Sequence, residues 1–109
     1  MEVYLHPAAR AELDALPVVE QQAIDHAIEK LTALGAQLPF PHTSNVRGAT
    51  TLFELRPRAG RSRWRAFYRQ VGTKMVIAAI GPESEVDGRG FARTVATAEK
   101  RLKDLGEVG

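Results

Sequence analysis

Hydrophobic positions in the first third of the chain change from strand-like alternation to a helical period. Residues 2–5 alternate apolar and polar side chains and predict a short strand. Pro7 suits the first turn of a helix and predicts one that runs as far as Leu16. Pro17 restarts the pattern, so that residues 17–34 predict a second, amphipathic helix. The two helices are expected to form a hairpin hinged at Pro17.

The hydrophobic period changes to two in the middle of the chain. Gly35–Thr51 carries prolines, glycines and few regularly spaced apolar residues, and it predicts a loop. The segments Leu52–Arg56, Ser62–Gln70 and Met75–Ile80 then predict three strands separated by short, glycine-containing turns. Met75–Ile80 is apolar at every position, as in a strand covered on both faces. The three strands together predict an antiparallel meander.

A second helical stripe predicts a C-terminal helix. Its apolar residues are Phe91, Val95, Ala98, Leu102 and Leu105. Val86–Gly90 predicts an irregular approach to this helix, and Gly106 is the candidate residue that ends it. The element order is then strand, two helices, three strands and a helix. It predicts a single α+β domain over residues 1–109, with helices packed on an antiparallel sheet.

Composition excludes several classes of protein. The 109 residues contain no cysteine, which excludes a disulfide framework and a thiolate metal site. The three histidines are not spaced as a metal pair, and His6 is expected to cap a helix, so we predict no metal and no cofactor. Glu2, Pro7 and Arg10 interrupt the apolar run that a secretory signal needs, and no segment is long enough to span a bilayer. We predict a soluble, cytoplasmic protein without a membrane partner.

Charge is segregated along the chain, although the net charge is only +2. Residues 47–74 hold eight basic residues and one acidic residue, whereas the rest of the chain is net acidic. Arginine supplies eleven of the fifteen bases, and its planar guanidinium can bind two oxygens of a phosphate or carboxylate at once. The pattern favours an anionic partner. A solvated, arginine-rich hairpin without a ligand stays open as the alternative.

Alternation along the two central strands separates apolar from charged side chains. Phe53 and Leu55 lie opposite Glu54 and Arg56, and Trp64, Ala66 and Tyr68 lie opposite Arg63, Arg65, Phe67 and Arg69. If the aromatic sides form the core, Arg56 and Arg65 share one open face. Two arginines placed in this way could stabilise charge that develops on phosphoryl oxygens.

Three further residues on these strands have a structural and a chemical interpretation. Glu54 is a candidate base, but a cross-strand ion pair with Arg65 or Arg63 is the commoner role. Tyr68 is more often a half-buried core ring than a catalytic group. Trp64 is a core anchor first and a base-stacking platform second.

Two short motifs carry a resemblance to a known family. Leu52-Phe53-Glu54-Leu55-Arg56, followed by Trp64-Arg65-Ala66-Phe67-Tyr68, resembles the paired central strands of toxins of the RelE/ParE superfamily. The phage-derived HigB-like branch is most similar, because there a strand that ends Glu-Leu-Arg precedes one with Arg-x-x-Tyr. The element order agrees over nearly the whole chain. The resemblance implies a RelE-like fold and the toxin component of a type II toxin-antitoxin system.

The resemblance also implies an activity and its residues. Most characterised branches cleave mRNA on the ribosome without a metal, and Arg56 and Arg65 match family positions that contact the scissile phosphate. Glu54 and Tyr68 complete the candidate catalytic group. The candidate nucleic-acid-binding residues are Arg47, Arg58, Arg61, Arg63 and Arg89. The implied partners are the ribosome with its mRNA and a cognate antitoxin, often a helix-turn-helix protein encoded beside the toxin.

The chain departs from the HigB-like pattern after the last strand. The family has a Lys-Lys run there, whereas residues 81–87 read Gly-Pro-Glu-Ser-Glu-Val-Asp. The tyrosine or histidine of other branches near the C-terminus is also unmatched, and Arg89 and Phe91 lie nearest. Two alternatives therefore stay open: a ParE-like poison of DNA gyrase, and a degenerate toxin that acts only as an antitoxin-binding module.

Overall fold

A computed structural model describes residues 1–49 and 51–108 of the chain. The strands are β1 (Glu2–Leu5), β2 (Thr43–Asn45), β3 (Phe53–Leu55), β4 (Trp64–Val71) and β5 (Lys74–Pro82). The α-helices are α1 (Pro7–Asp14), α2 (Val18–Leu34) and α3 (Gly88–Val108), and short 3-10 turns occupy Gly35–Gln37 and Pro57–Gly60. The predicted α+β class and the order of its main elements are confirmed.

The five strands form one sheet in the order β1-β5-β4-β3-β2. The pairs β3–β4 and β4–β5 are antiparallel, which confirms the predicted meander. β1 joins it in parallel beside β5, with Glu2 opposite Lys74 and Leu5 opposite Ile77. The prediction of a loop throughout Gly35–Thr51 is wrong at Thr43–Asn45, which pairs antiparallel with β3. Thr50 of that predicted loop lies outside the described residues.

Helices cover both faces of the sheet. α1 and α2 pack on one face, where a first core cluster includes Leu13, Ile24, Leu31, Tyr68 and Ile77. α3 packs on the other face, where a second core cluster includes Phe67, Val76, Ala98 and Leu102. The expectation of an open face beside Glu54, Arg56 and Arg65 is therefore wrong. The apolar stripe of α3 needs a surface to bury against, and the alternate residues of β4 and β5 supply it.

The helix ends agree only in part with the sequence signals. The predicted cap by His6 is confirmed, since its Nδ1 accepts a hydrogen bond of 3.0 Å from the Ala8 amide. α3 begins at Gly88, inside the predicted irregular approach, because the Asp87 carboxylate accepts from the Gly90 amide at 2.9 Å and caps the first turn. The predicted end at Gly106 is also wrong, because the helix continues to Val108.

Two side chains close the part of the β5 edge that β1 does not reach. β1 pairs with β5 only as far as Ile77. Beyond it the Ala78 carbonyl accepts from Arg101 Nη1 at 2.9 Å, and the Ile80 amide donates to Glu12 Oε1 at 3.0 Å. Arg101 and Glu12 also bind each other through two contacts of 3.0 Å. The pair thus takes the place of a neighbouring strand for the Ala78 carbonyl and the Ile80 amide.

Within residues 1–49 and 51–108, no helix is both long enough and apolar enough to cross a membrane.

Candidate functional site

Glu54, Arg56 and Arg65 meet in one ion cluster between β3 and β4. Glu54 Oε1 accepts a hydrogen bond from Arg56 Nη1 and another from Arg65 Nε, both at 3.2 Å. Glu54 is 9 % exposed and Arg65 is 2 % exposed. The predicted cross-strand ion pair between Glu54 and Arg65 is confirmed, and the structure brings together three of the four predicted catalytic residues.

The guanidinium of Arg65 is fully engaged inside the protein. Besides Glu54, it donates to the Ser62 carbonyl at 2.7 Å, the Trp64 carbonyl at 3.1 Å and the Gly60 carbonyl at 3.2 Å. The expected position of Arg65 on an open face is wrong, because turn 57–62 folds over its side chain. These contacts make Arg65 the group that holds this turn against β4.

Arg56 is the member of the cluster that solvent reaches. Its side chain is 22 % exposed. Its Nε donates to the Pro41 carbonyl at 3.0 Å, and its guanidinium carbon lies 5.2 Å from the centre of the Phe40 ring. An arginine over an aromatic face keeps its charge while its position is fixed. A phosphate approaching this part of the surface would meet Arg56 and not Arg65.

The turn after β3 has a strained backbone. Arg58 and Ala59 have φ of 55° and 56°, and Gly60 follows at 94°. The left-handed region costs a residue with a side chain on the order of 1 kcal/mol, so other contacts must hold the turn. Glu20 of α2 provides two of them, at 3.0 Å from Arg58 Nη1 and 3.0 Å from Ser62 Oγ.

Glu20→Gln is expected to remove more stability near neutral pH than in acid. Burial raises the pKa of Glu20, but hydrogen bonds from Arg58 and Ser62 and the charges of Arg58 and Arg63 outweigh it, so that the pKa lies below the ordinary 4.5. The ionised carboxylate therefore contributes stability above about pH 4.5, which is lost as pH falls through the folded-state pKa.

Urea unfolding of wild type and Glu20→Gln near pH 7 and near pH 3 measures this contribution. We expect a difference of about 1 kcal/mol or less near pH 7, because the pair is partly solvated, and a smaller difference near pH 3, where more of the carboxylate is protonated. Glu29→Gln, on the exposed side of the same helix, is the matched control. An equal difference at both pH values would contradict this role of the Glu20 carboxylate.

Tyr68 lies apart from the ion cluster, in the first core cluster. It is 3 % exposed, stacks on Phe53 with ring centres 5.6 Å apart, and its hydroxyl lies 2.6 Å from Thr43 Oγ1. Burial raises the pKa of Tyr68, and the hydrogen bond with Thr43 offsets only part of that rise. The interpretation of Tyr68 as a core ring is confirmed, and its phenol stays protonated at neutral pH.

The structure divides the predicted nucleic-acid-binding arginines between two ends of the sheet. Arg58, Arg61 and Arg63 are exposed around turn 57–63, where β4 begins. Arg47 is exposed in the turn between β2 and β3. Because Phe53 pairs with Tyr68, the chain before Phe53 runs towards the opposite end of β4. Arg47 is therefore separated from the other three arginines.

Sequence reasoning missed one cation near Arg89. Arg93 follows Arg89 by four residues on α3, and both are exposed, so they lie on one side of the helix a turn apart. Arg93 lines a cleft of about 690 Å³ between the start of β4, the end of β5 and α3, which Arg63 and Trp64 also line. The i, i+4 spacing of the two arginines, off the apolar stripe, was the signal that could have found Arg93.

A second cavity of about 520 Å³ lies between α2 and the β3 end of the sheet. Its lining includes His26, His42, Arg56 and Arg58, above a floor of small and apolar side chains from α2 and β3. In the part of the chain that the structure describes, no group of three or more histidine, aspartate or glutamate side chains could hold a metal ion.

Comparison with solved structures defines the fold class. A double arginine-to-alanine mutant of the E. coli toxin RelE in the free state matches with a TM-score of 0.66 and 13 % identity, over 93 % of this chain and 96 % of that chain. The intact E. coli RelBE toxin-antitoxin complex matches with a TM-score of 0.58 and 13 % identity, over 75 % of this chain and 95 % of the matched chain. The chain therefore has the RelE fold.

Sequence comparison identifies the family. A family model described as "Phage derived protein Gp49-like (DUF891)" matches residues 11–82, which is more than half of the chain. The chain belongs to this phage-derived, Gp49-like family. No curated protein sequence is similar enough to count as a match. The resemblance to the RelE/ParE superfamily is thereby confirmed.

Proposed function

We propose that this chain is the toxin of a type II toxin-antitoxin system and that it cleaves mRNA on the ribosome without a metal. The observation that carries the proposal is the RelE fold with an exposed arginine surface at one end of the sheet. This surface, here called the basic end, consists of Arg58, Arg61, Arg63, Arg89 and Arg93. Arginine at this density suits a phosphate backbone and contributes binding rather than sequence readout.

The ion cluster supports a division of roles within the proposed reaction. In metal-free cleavage the RNA 2′-hydroxyl attacks the adjacent phosphate, and negative charge grows on the phosphoryl oxygens. Arg56, the solvent-accessible member, is the group that contacts this phosphate. Glu54 and Arg65 are positioning residues, because both hydrogen-bond inside the protein and fix the direction of Arg56. Tyr68, buried in the core, holds β2 against β4 through Thr43.

The proposed function also sets the partners. The basic end supplies the charge that an antitoxin would neutralise, and the family pattern favours a helix-turn-helix antitoxin encoded in the same operon. A ribosomal target places the working protein in the cytoplasm. The RelBE complex among the matched structures supports an antitoxin partner for this chain as well.

Induced expression in a host without the antitoxin tests the proposal. We expect wild type to arrest growth and to produce new mRNA 5′ ends inside reading frames, because the proposed toxin would bind mRNA phosphates through its exposed arginines. Arg56→Ala is expected to lose both effects by tenfold or more, since it removes the group that faces the phosphate. Growth and 5′ ends are measured in the same cultures.

Two controls separate chemistry from folding. Arg10→Ala removes an exposed arginine of α1 and is expected to behave as wild type. The unfolding midpoint of Arg56→Ala shows whether enough folded protein remains to act. Growth arrest with intact mRNA and DNA damage would replace the proposal by a gyrase poison. A folded wild-type chain that does not arrest growth would overturn any toxic activity and leave an antitoxin-binding module.

A further inference from the structure

The cleft between β4, β5 and α3 has walls that are fixed by close packing. The Arg63 carbonyl accepts a hydrogen bond of 2.9 Å from the Glu83 amide, which ties the start of β4 to the chain after β5. Thr94 of α3 packs directly on Gly81, since a Cβ there would lie 2.7 Å from Thr94 Cγ2. At Gly90 a Cβ would lie 2.8 Å from Pro82 Cγ. Two glycines thus allow α3 to approach the sheet and shape the cleft.

The charged side chains of the cleft lining are two arginines and two carboxylates. No side-chain hydrogen bond or close ion pair holds Arg63 or Arg93 among the described residues, although the charge of Arg63 acts on Glu20 from a greater distance and lowers the pKa of that carboxylate. The two acidic side chains of the lining are already occupied. Glu12 binds Arg101 and the Ile80 amide, and Asp87 caps α3. An anion entering the cleft would therefore meet two guanidinium groups that no side chain hydrogen-bonds, while Glu12 is paired with Arg101 and Asp87 caps α3.

An aromatic ring also lines the cleft. Trp64 is the only tryptophan of the chain and is half-buried, because its ring packs partly against the first core cluster and partly lines the cleft. Adjacent residues of a strand point to opposite faces, so Trp64 lies on the other side of β4 from the ion cluster around Arg65. The cleft volume of about 690 Å³ is in the range of sites that hold a molecule of nucleotide size.

We propose that this cleft binds one unstacked nucleotide of single-stranded RNA, with its base on Trp64 and its flanking phosphates on Arg63 and Arg93. The inference rests on the proposed function, to which it adds a second RNA contact apart from Arg56. Aromatic stacking tolerates any base and needs one that is free of its own neighbours, which a duplex does not offer. Guanidinium groups in the same cleft suit the phosphates that flank such a base.

Trp64 fluorescence measures this binding without a ribosome. Purified wild-type chain is titrated with a short single-stranded oligoadenylate and, in parallel, with an RNA duplex of the same length. We expect saturable quenching by the single strand and much weaker quenching by the duplex. The Arg63→Ala/Arg93→Ala variant is expected to bind at least tenfold more weakly. Its salt dependence should be shallower by about 1.4 in log K against log salt, since each single-strand phosphate contact contributes about 0.7.

Matched variants separate stacking from general electrostatics. Arg47→Ala removes an exposed arginine at the other end of the sheet and is expected to bind within about twofold of wild type. Trp64→Phe keeps an aromatic face, whereas Trp64→Leu does not. With labelled RNA and anisotropy as the readout, Trp64→Leu is expected to lose roughly five- to a hundredfold in affinity and Trp64→Phe much less. Circular dichroism of each variant checks that it is folded.

The two proposals fail in different ways. If wild type cleaves mRNA in cells but RNA leaves Trp64 fluorescence unchanged, the cleft inference is overturned and the proposed function stands. If RNA quenches Trp64 and the arginine variant loses binding, but cells neither arrest nor cleave mRNA, the proposed function fails and the cleft remains an RNA site. Equal losses in Arg47→Ala and Arg63→Ala/Arg93→Ala would overturn the cleft as a specific site.

Discussion

Replacing Arg65 by alanine is expected to lower the free energy of unfolding by about 3–5 kcal/mol. The change leaves the buried Glu54 carboxylate with one arginine partner in place of two, and it removes the Arg65 donor from the carbonyls of Gly60, Ser62 and Trp64. A buried charge or carbonyl that loses its partner keeps its desolvation cost. Urea unfolding monitored by circular dichroism measures the effect.

The neighbouring arginine is a matched control for Arg65. Arg63 lies two residues earlier in the same segment, is exposed, and forms no side-chain hydrogen bond with a described residue, since it acts on Glu20 only through its charge. Arg63→Ala is expected to change the free energy of unfolding by about 0.5 kcal/mol or less. If both variants lost the same small amount, the Arg65 guanidinium would not hold the turn. Loss of toxicity in Arg65→Ala is therefore evidence about catalysis only when the variant is shown to be folded.

Replacing Phe67 by alanine is expected to lower the free energy of unfolding by about 3–5 kcal/mol, through the cavity that it leaves between β4 and α3. Phe67 is 0 % exposed and meets the edge of the Phe91 ring with centres 5.4 Å apart. Phe40→Ala, at an exposed ring that lies against the Arg56 guanidinium, is the control and should cost about 1 kcal/mol or less. Denaturant unfolding of both variants measures these losses in the free energy of unfolding. A loss below about 1 kcal/mol for Phe67→Ala would mean that α3 does not cover this face.

Phe67 shows how much of the fold the hydrophobic periodicity of the sequence could predict. Alternation on β4 correctly separated Phe67 from Tyr68, and the stripe on α3 correctly predicted an apolar helix face. The sequence analysis did not predict that the apolar face of α3 packs on the Phe67 face of β4, because three arginines near Phe67 suggested a solvated surface. Periodicity tells which side chains share a face, but not which element covers that face. Only tertiary packing shows that α3 takes the place that was assigned to solvent.

The sequence predicted which residues form the ion cluster, but not which of them solvent can reach. Spacing brought Glu54, Arg56 and Arg65 together correctly, because strand alternation and cross-strand pairing are local rules. The burial of Arg65 depends on a left-handed turn at Arg58 and Ala59. Arginine and alanine do not favour this conformation, so the sequence did not indicate it. The sequence analysis did not predict β2 for a similar reason. Its Thr-Ser-Asn sequence has no apolar alternation, and its strand geometry comes from pairing with β3.

The bridge between Glu12 and Arg101 has a consequence for the timing of folding. These residues are 89 positions apart in the chain, and the second core cluster likewise needs α3, which follows every strand in the sequence. Contacts between distant positions form late, because closing a long loop carries a large cost in conformational entropy. During synthesis all five strands are therefore made before α3, the helix that covers the second face of the sheet. The cleft that Arg63 and Arg93 share is assembled only when α3 has docked, so a growing chain lacks that surface until α3 has been synthesised.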